Sequence, residues 1–355
     1  MKLLYIVPSI NDSGGVSRTL SIKINYFIEK MGYEVHLISQ NEDNFEPFYS
    51  FNSNVNFHSI FLKGSVFSFG FSYIKQVKKL VNSINPDFIL VADNGLKAFL
   101  LPYFLSKKVN LFLELHSVLD IKENQNQSNY FAKKFKQFSV SKFKKVIVLS
   151  KSNVQNWKLN YAEIIPNPLW LEVSKNEKIQ NKAAICFIRD SYIKGFDRLI
   201  SIWNEISKTN SDWNLKIIGI SKTDKSIIEE LKKHPNLNTI SFIDSQKDIE
   251  NVFSDASILL QTSRFEAFPM ILIEAMGFGL TCVAYNCPGG TKDIISNNVN
   301  GFLIKNDNQS DFVAKTLELF ENENLRKTIS ENAKKSVQKF DLEVVMQKWV
   351  TLFEN

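Results

Sequence analysis

Several features that would point directly to a function class are scarce in this 355-residue sequence. No apolar run approaches the roughly 20 residues that a membrane-spanning helix needs, and the run at residues 3–7 is too short for a secretory signal. The three cysteines, Cys186, Cys282 and Cys287, are odd in number, so we expect reduced, buried side chains rather than ligands. Together these absences favour a cytoplasmic protein.

The sequence also lacks the full Gly-x-Gly-x-x-Gly fingerprint of dinucleotide-binding domains. A single glycine pair, Gly14-Gly15, follows the first apolar run and opens a stretch with a helical pattern that extends to about Met31. Glycines at this point would let the backbone approach a ligand closely. An ordinary tight turn is the alternative.

What the sequence has in quantity is an alternation of short apolar runs with amphipathic stretches. The apolar runs lie at residues 3–7, 35–39, 87–92, 110–115 and 145–149, and then at 183–188, 214–219, 239–243, 256–260 and 280–285. This alternation predicts β–α–β units, hence parallel sheets with helices on both faces. The runs form two sets divided by the proline-stiffened segment 165–169, and the length exceeds what one core usually holds. We therefore predict two α/β domains.

The net charge of +6 is unevenly distributed along the chain. Residues 1–165 contain 20 Lys and Arg against 12 Asp and Glu, hence +8, whereas the remainder contains 23 against 25, hence −2. The first half is therefore the part that an anionic membrane surface or an acidic acceptor would attract.

The stretch 263–277 predicts a strand, a loop and a helix in close succession. A buried strand would end just before it, because an apolar run bounded by polar residues precedes it. Pro269 suits the first turn of a helix, where its missing N–H leaves no hydrogen bond unmade. Gly277 and Gly279 then offer stops for that helix.

This local structure has a chemical use, since ligands of parallel sheets bind at the carboxyl ends of strands. The helix N-terminus would offer the N–H groups of Phe268, Met270 and Ile271 to an anion such as a diphosphate. Glu266 in the loop and Glu274 in the second helical turn would repel a diphosphate, so we expect them to accept hydrogen bonds from hydroxyls. The alternative is a surface loop before a packed helix, with Glu274 an ordinary exposed carboxylate.

A second candidate site follows the apolar run 183–188. Arg189 and Lys194 stand five residues apart between this run and a helical pattern. An Arg fork and a Lys point charge can hold a diphosphate from two directions. Salt bridges to Asp190 and Asp197 are the alternative.

Two glutamates eight residues apart around a Phe-Pro turn, as in residues 266–274, resemble the signature of the retaining glycosyltransferases of family 4. The resemblance extends to residues 242–256, 279–290 and 300–304. It is specific over about residues 183–305 and weaker before them. It implies the GT-B fold, in which two Rossmann-like domains face each other across a cleft.

The resemblance also implies a domain plan. An N-terminal Rossmann-like, acceptor-binding domain would cover residues 1–165. A C-terminal Rossmann-like domain that binds the nucleotide sugar would cover residues 170–340. A terminal helix at residues 341–355 would cross back to the first domain.

Roles for the candidate residues follow from the same resemblance. Arg189 and Lys194 would hold the donor's pyrophosphate, Glu274 the ribose hydroxyls and Glu266 the 3- and 4-hydroxyls of the sugar. His116, which follows an apolar run, would contact the donor sugar from the opposite wall, although a lone histidine is usually structural. The other residues assigned to the donor site are Gly14, Gly15, Ile243, Phe268, Pro269, Met270 and Ile271.

The sequence contains no Asp-x-Asp, the metal-binding signature of the other large glycosyltransferase fold. We therefore expect no metal cofactor, with the charge of the leaving diphosphate offset by Arg189, Lys194 and a helix N-terminus. Three glycines common in the family are replaced here by Ile188, Asp244 and Ala267. Each replacement is tolerable where the backbone φ is negative.

Two aromatic segments are candidates for contact with an acceptor or a lipid surface. Phe131, Phe135 and Phe138 fall on one helical face with lysines on another, as in membrane-surface helices. A domain helix that buries its phenylalanine face is the alternative. Residues 61–73 contain five aromatic side chains among glycine and serine.

The function predicted from these residues is a metal-independent retaining glycosyltransferase. It would move a hexose or an N-acetylhexosamine from a UDP-sugar to a hydroxyl of a growing, lipid-linked glycan in cell-surface polysaccharide synthesis. Its partners would be the nucleotide-sugar donor, the glycan acceptor and a membrane surface beside the basic first domain, without nucleic acid. The alternatives are a nucleotide-sugar epimerase or a phosphorylase on the same fold, or a catalytically silent scaffold subunit.

Overall fold

The structure is a computed structural model, and it describes residues 1–42, 46–62, 66–119, 130–172, 181–221, 223–234, 237–246 and 249–354. These residues divide into two compact units. The first unit contains the described residues from 1 to 119, 130 to 168 and 343 to 354, and the second contains those from 169 to 342. The division falls between Pro168 and Leu169.

A parallel sheet forms the centre of the first unit. Its strands are β1 (Lys2–Ile6), β2 (Glu34–Gln40), β3 (Asn56–Ile60), β4 (Phe88–Val91), β5 (Asn110–Leu115), β6 (Lys145–Val148) and β7 (Glu163–Ile164). Their spatial order is β3-β2-β1-β4-β5-β6-β7, and every neighbouring pair is parallel. The order of the strands reverses between β1 and β4, which makes that point the topological switch of the sheet.

Helices of the first unit cover both faces of this sheet, which is why its central strands read as nearly continuous apolar runs. They include α1 (Gly15–Glu29), α2 (Val66–Ile84), α3 (Leu101–Phe104), α4 (Tyr130–Val140) and α5 (Lys151–Trp157). Leu4, Ile89 and Leu113 on the strands share one buried apolar cluster with Val77 and Val140 on the helices.

The second unit is built on another parallel sheet. Its strands are β8 (Ala183–Phe187), β9 (Asn214–Ile218), β10 (Ile240–Ile243), β11 (Ile258–Gln261), β12 (Thr281–Asn286) and β13 (Phe302–Lys305). Their order is β10-β9-β8-β11-β12-β13, which is the 3-2-1-4-5-6 order of the Rossmann fold. The switch point therefore lies between β8 and β11, which pair directly.

The remaining helices complete the two units. They are α6 (Phe196–Ser207), α7 (Lys225–Lys232), α8 (Glu250–Ser254), α9 (Met270–Phe278), α10 (Thr291–Ile294), α11 (Gln309–Glu321), α12 (Glu323–Val337) and α13 (Leu342–Glu354). In the second unit the Trp213 ring stacks on Phe320 with the centroids 3.9 Å apart. Helix α13 packs in the first unit, where the Phe353 ring lies 4.9 Å from Phe88 and 5.6 Å from Phe27.

These sheets confirm the prediction of an α/β protein with two Rossmann-like parallel sheets. Each apolar run singled out in the sequence overlaps a strand, with ends that differ by up to two residues. Three strands were not predicted. β3 is an edge strand of mostly half-buried residues, β7 has two residues, and β13 is short and close to a turn.

The end of α9 corrects one expectation about glycine. Gly279, with φ of +98°, stops the helix as predicted. Gly277 lies inside the helix, so the prediction that it also stops the helix is wrong. A Cβ there would stand 3.1 Å from Leu169 Cδ2, so Gly277 serves close packing instead.

All three cysteines are buried, as expected. Burial raises the pKa of the Cys186 and Cys287 thiols to about 12 and that of Cys282 further still, so they remain protonated at neutral pH. Across the described part of the chain, no helix has both the length and the apolar composition required to cross a bilayer.

Candidate functional site

Two loops meet at the switch point of the second sheet, because β8 and β11 are neighbours. The loop after β8 carries Ile193, Lys194 and Gly195, and the loop after β11 starts at Thr262. The hydroxyl of Thr262 donates to the carbonyl oxygens of Lys194 at 3.1 Å and Gly195 at 2.9 Å. The backbone N–H of Arg264 donates to the carbonyl of Ile193 at 2.8 Å. The loop after β11 thus fixes the backbone on either side of Lys194.

Gly195 makes this close approach possible. It caps the N-terminus of α6 in the left-handed region, with φ of +67°. A Cβ at Gly195 would lie 2.2 Å from the carbonyl oxygen of Thr262, a distance that no real Cβ adopts. The turn that presents Lys194 therefore requires glycine for both conformation and space.

The side chain of Lys194 contacts Glu266 directly. The ammonium Nζ donates to Glu266 Oε1 at 2.5 Å, and the hydroxyl of Ser263 donates to the same oxygen at 2.7 Å. Glu266 is buried while Lys194 is half-buried. The two loops thus bring together a cation and a carboxylate that stand 72 residues apart in the sequence.

The aspartates considered as alternative partners of Lys194 are engaged elsewhere. Asp197 forms a two-point ion pair with Arg264, with N–O distances of 2.8 and 2.6 Å. Partial burial opposes the charge of Asp197, but Arg264 outweighs that effect and holds the pKa of this carboxyl below its usual value. Asp190 accepts a hydrogen bond from the backbone N–H of Ile193 at 2.7 Å. The alternative of a salt bridge from Lys194 to these aspartates is therefore wrong.

A third strand end supports Glu266 through its backbone. The N–H of Glu266 donates to the carbonyl of Pro288 at 3.2 Å, and its carbonyl accepts from the N–H of Gly290 at 2.8 Å. Both partners follow β12, and Gly289 between them has φ of +118°. The Glu266 loop is therefore held on one side by the β8 loop and on the other by the β12 loop.

The start of α9 is anchored by apolar packing. Phe268 is buried, with its ring edge-on to Phe340 at 5.3 Å, and Pro269 occupies the position before the first helical residue, Met270. Ile271 is half-buried. The first turn of α9 thus begins directly after the loop that carries Glu266, and its positive dipole end lies at the switch point.

Glu274 is buried rather than exposed. Its residue is 1% accessible, and Oε1 accepts a hydrogen bond from the indole Nε1 of Trp170 at 2.8 Å. The alternative of an ordinary exposed carboxylate is therefore wrong. A buried carboxylate costs free energy unless polar groups stabilise it, and Trp170, which the sequence analysis missed, supplies one such group.

The remaining candidates of the second unit lie at strand ends. Arg189 is exposed immediately after the segment that extends β8, and Ile243 is the half-buried last residue of β10. Ile188, Asp244 and Ala267, which replace glycines common in the family, all have negative φ. The condition under which each replacement is tolerable is therefore met at all three positions.

In the first unit, the Gly14-Gly15 loop connects β1 to α1. The N–H of Gly14 donates to Asp12 Oδ1 at 2.6 Å, and Gly15 is the first residue of α1. A Cβ at Gly15 would meet no heavy atom within 4 Å. The fold itself therefore leaves room for a side chain at residue 15, and close approach by a ligand stays a prediction.

His116, just after β5, is held by two residues that the sequence analysis did not single out. Its imidazole is 2% accessible, and Nε2 lies 3.0 Å from Glu114 Oε2. The same oxygen accepts a hydrogen bond from Lys23 Nζ, on α1, at 2.5 Å. Burial alone would raise the pKa of Glu114, but Lys23 and His116 together hold it below its usual value.

Within the residues that the structure describes, no three His, Cys, Asp or Glu side chains come close enough to bind one metal ion.

Two family models match the chain, one for each unit. Residues 13–150 match the model described as "Glycosyl transferase 4-like", and residues 171–336 match "Glycosyl transferases group 1". The two matches indicate a GT-B glycosyltransferase of the family 4 type. The prediction of a glycosyltransferase is thereby confirmed.

Proteins that align with this chain over nearly its whole length are also described as glycosyltransferases. An uncharacterized glycosyltransferase of Haemophilus influenzae is 26% identical over 354 residues, which cover 98% of each chain. The amylovoran biosynthesis glycosyltransferase AmsD of Erwinia amylovora is 25% identical over 363 residues, again 98% of each chain. The crystal structure of HepE from Anabaena in complex with UDP-glucose has a TM-score of 0.79 at 17% identity and covers 100% of this chain and 99% of that one. This last similarity shows the fold.

The Gly195 turn gives a prediction about stability. Gly195→Ala should lower the free energy of unfolding by about 2–4 kcal/mol, because alanine disfavours the left-handed conformation and its Cβ would displace the Thr262 backbone. Urea unfolding followed by circular dichroism measures the effect. Gly70→Ala is the control, since Gly70 lies in α2 with open space around it and should gain about 0.5–1 kcal/mol. A loss below about 1 kcal/mol in Gly195→Ala would contradict the close approach of turn and strand end.

Proposed function

We propose that this glycosyltransferase moves a hexose or an N-acetylhexosamine from a UDP-sugar to a hydroxyl of a growing, lipid-linked glycan, with retention of configuration and without a metal. The observation that carries the proposal is the contact of Lys194 with Glu266 at the Rossmann switch point, beside the start of α9 and the buried Glu274. A cation and a helix N-terminus suit a diphosphate, and two carboxylates suit sugar hydroxyls.

In the proposed mechanism, Lys194 changes its partner when the donor binds. In the free protein its ammonium is paired with Glu266. When the donor binds, Lys194 and Arg189 offset the charge of the diphosphate, and Glu266 accepts hydrogen bonds from the sugar's 3- and 4-hydroxyls. Ser263 keeps Glu266 oriented through this exchange, because its hydroxyl binds the same carboxylate.

The nucleoside end of the donor would lie along α9. Glu274 would accept hydrogen bonds from the ribose hydroxyls, with Trp170 fixing the carboxylate. The N–H groups at the start of α9, beside Phe268 and Pro269, would add positive potential at the diphosphate. Ile243, at the end of β10, completes the residues assigned to the nucleotide.

Transfer would proceed by attack of the acceptor hydroxyl on the same face that the diphosphate leaves. The departing phosphate oxygen takes the acceptor's proton, so no covalent nucleophile is required. Positive charge from Arg189, Lys194 and the start of α9 stabilises the leaving group in the transition state. In the first unit, His116 would hold the sugar, and the Gly14-Gly15 loop would contact the diphosphate and the acceptor.

Relatives support an acceptor in cell-surface polysaccharide synthesis. The name of AmsD assigns it to amylovoran biosynthesis. A poly(ribitol-phosphate) α-N-acetylglucosaminyltransferase of Staphylococcus aureus is 27% identical over 164 residues. The HepE structure contains UDP-glucose, which supports a UDP-sugar as donor.

Surface chemistry of the first unit supports a peripheral contact with the inner membrane surface, and with it a cytoplasmic location. On α4, Phe131 is 81% and Phe138 60% exposed, while Phe135 packs against the core and stacks on Tyr103. The alternative, a domain helix that buries its phenylalanine face, holds for Phe135 but not for Phe131 and Phe138. Exposed rings beside lysines are typical of helices that lie on anionic lipid. Of the other aromatic segment, residues 63–65 lie outside the described residues, and Phe71 is exposed.

Release of UDP from a panel of UDP-sugars, with and without a lipid-linked acceptor, tests the proposal. We expect UDP release that depends on the acceptor, because transfer requires its hydroxyl. An epimerase would convert the UDP-sugar without releasing UDP, and a phosphorylase would respond to inorganic phosphate. A scaffold subunit would release nothing with any donor and acceptor.

The two glutamates should separate in their effects. Glu274→Gln should weaken binding of UDP and of UDP-sugar alike, by about tenfold, because both contain the ribose and one charged acceptor is lost. Glu266→Gln should leave UDP affinity nearly intact and lower kcat by about 10- to 100-fold, since its contact strengthens in the transition state.

Calorimetric UDP binding measured beside turnover decides this assignment. Glu331→Gln, on the exposed face of α12, is the control and should change neither quantity. Equal weakening of UDP binding by both glutamate variants would contradict the division of roles.

Activity should survive EDTA, because side chains and a helix terminus supply the positive charge at the diphosphate. The measurement is the initial rate of UDP release before and after chelation. Complete loss of activity that added Mn²⁺ restores would refute the metal-independent mechanism. Mild stimulation by Mn²⁺ would agree with it, since divalent ions help UDP to leave.

A further inference from the structure

Three buried ionisable side chains of the first unit, Lys23, Glu114 and His116, form a connected triad. Lys23 projects from α1 and is 2% accessible, and its Nζ donates to Glu114 Oε2. His116 Nε2 lies 3.0 Å from that same oxygen. Glu114 is on β5 two residues before His116, so a single carboxylate oxygen joins a helix to the residue that follows the strand.

Stability alone does not explain this triad. A buried ion pair loses about as much free energy through desolvation as it gains from attraction, and apolar residues of the same volume are often as stable. The surroundings of Lys23 are apolar and aromatic, with its ammonium 4.2 Å from the Trp349 ring and 5.5 Å from the Tyr5 ring. A role in holding His116 would account for the Lys23–Glu114 ion pair.

The pair determines which imidazole nitrogen carries a proton. Lys23 and His116 hold the pKa of Glu114 below its usual value, so the carboxylate is ionised at neutral pH and can only accept hydrogen bonds. His116 Nε2 must then be the donor. In the neutral imidazole this leaves Nδ1 as a hydrogen-bond acceptor.

We propose that Glu114 and Lys23 are positioning residues for His116. Glu114 fixes the ring and its Nε2–H tautomer, and Lys23 keeps the carboxylate ionised, so that Nδ1 meets a hydroxyl of the donor sugar as an acceptor. The contact with the sugar rests on the proposed function, whereas the tautomer does not.

Removing Lys23 should change the charge of Glu114 and with it the tautomer of His116. Among the described residues, the ionisable groups that face Glu114 are Lys23 from α1, Tyr5 from β1 and His116 itself, while α13 contributes the uncharged Trp349. Burial and Glu114 raise the pKa of Tyr5 well above its usual value, so Tyr5 stays neutral. Without Lys23, burial favours the protonated form of Glu114, whose hydroxyl then donates to His116 Nε2.

Nitrogen NMR of the imidazole rings tests the tautomer directly. The chain has four histidines, and His116→Gln assigns the signal. We expect the Nε2–H tautomer in the wild-type protein at neutral pH. Lys23→Met should shift the population toward the Nδ1–H tautomer, because a protonated Glu114 donates to Nε2. An Nδ1–H tautomer in the wild type, or an unchanged tautomer population in Lys23→Met, would overturn the inference.

A doubly neutral variant keeps the test valid if Lys23→Met alone does not fold. Lys23→Met/Glu114→Leu buries no unpaired charge and removes the acceptor of the Nε2 proton. We expect a mixture of both tautomers and a kcat at least tenfold lower, with UDP affinity unchanged because UDP lacks the sugar. Lys145→Met/Glu163→Leu, which removes a half-buried ion pair between β6 and β7, is the matched control and should change neither.

The readouts separate this inference from the proposed function. A wild-type tautomer ratio and kcat in the doubly neutral variant would overturn the positioning role. If the wild-type enzyme transfers no sugar from any donor, the contact with the sugar is overturned together with the proposed function. The NMR result would then still support Glu114 and Lys23 as residues that position His116.

Discussion

The second unit depends on how closely the turn after β8 approaches the end of β11. The missing Cβ of Gly195 lets the carbonyl of Thr262 come within a distance that other residues exclude, and the Thr262 hydroxyl then binds the turn from the other side. This contact brings the Lys194 ammonium to Glu266. The donor site we propose is thus assembled from backbone contacts first, and the side chains follow from them.

The two units use the same principle on different residues. In each, a carboxylate at or beyond a strand's carboxyl end is buried and shared by two donors: Glu266 by Lys194 and Ser263, and Glu114 by Lys23 and His116. A carboxylate held in this way has little freedom to rotate, so its partners keep a fixed geometry without ligand. Preorganisation of this kind is what electrostatic catalysis requires.

Sequence patterns predicted those parts of the molecule that depend on near neighbours in the chain. The period of the apolar runs predicted the strands, and Pro269 with Gly279 predicted the helix that carries Glu274. Contacts between distant residues gave no local signal: Trp170 and Glu274 are 104 residues apart, and Lys23 and Glu114 are 91 apart. Lys23 reads as an ordinary exposed lysine of an amphipathic helix, because its partner becomes apparent only when β5 lies beside α1. The prediction for the phenylalanine face of α4 was incomplete for a related reason. Periodicity places Phe131, Phe135 and Phe138 on one face, but it does not show which of them packs against a core.

The burial of all three cysteines has a practical consequence for experiments on this protein. Their thiols are shielded and protonated at neutral pH, so reagents that attack thiolates at the surface find no target among them. One cysteine introduced at an exposed position, such as Glu331 on α12, would then be the single reactive thiol of the chain. A fluorophore or spin label attached there would report from one known site without any native cysteine being replaced.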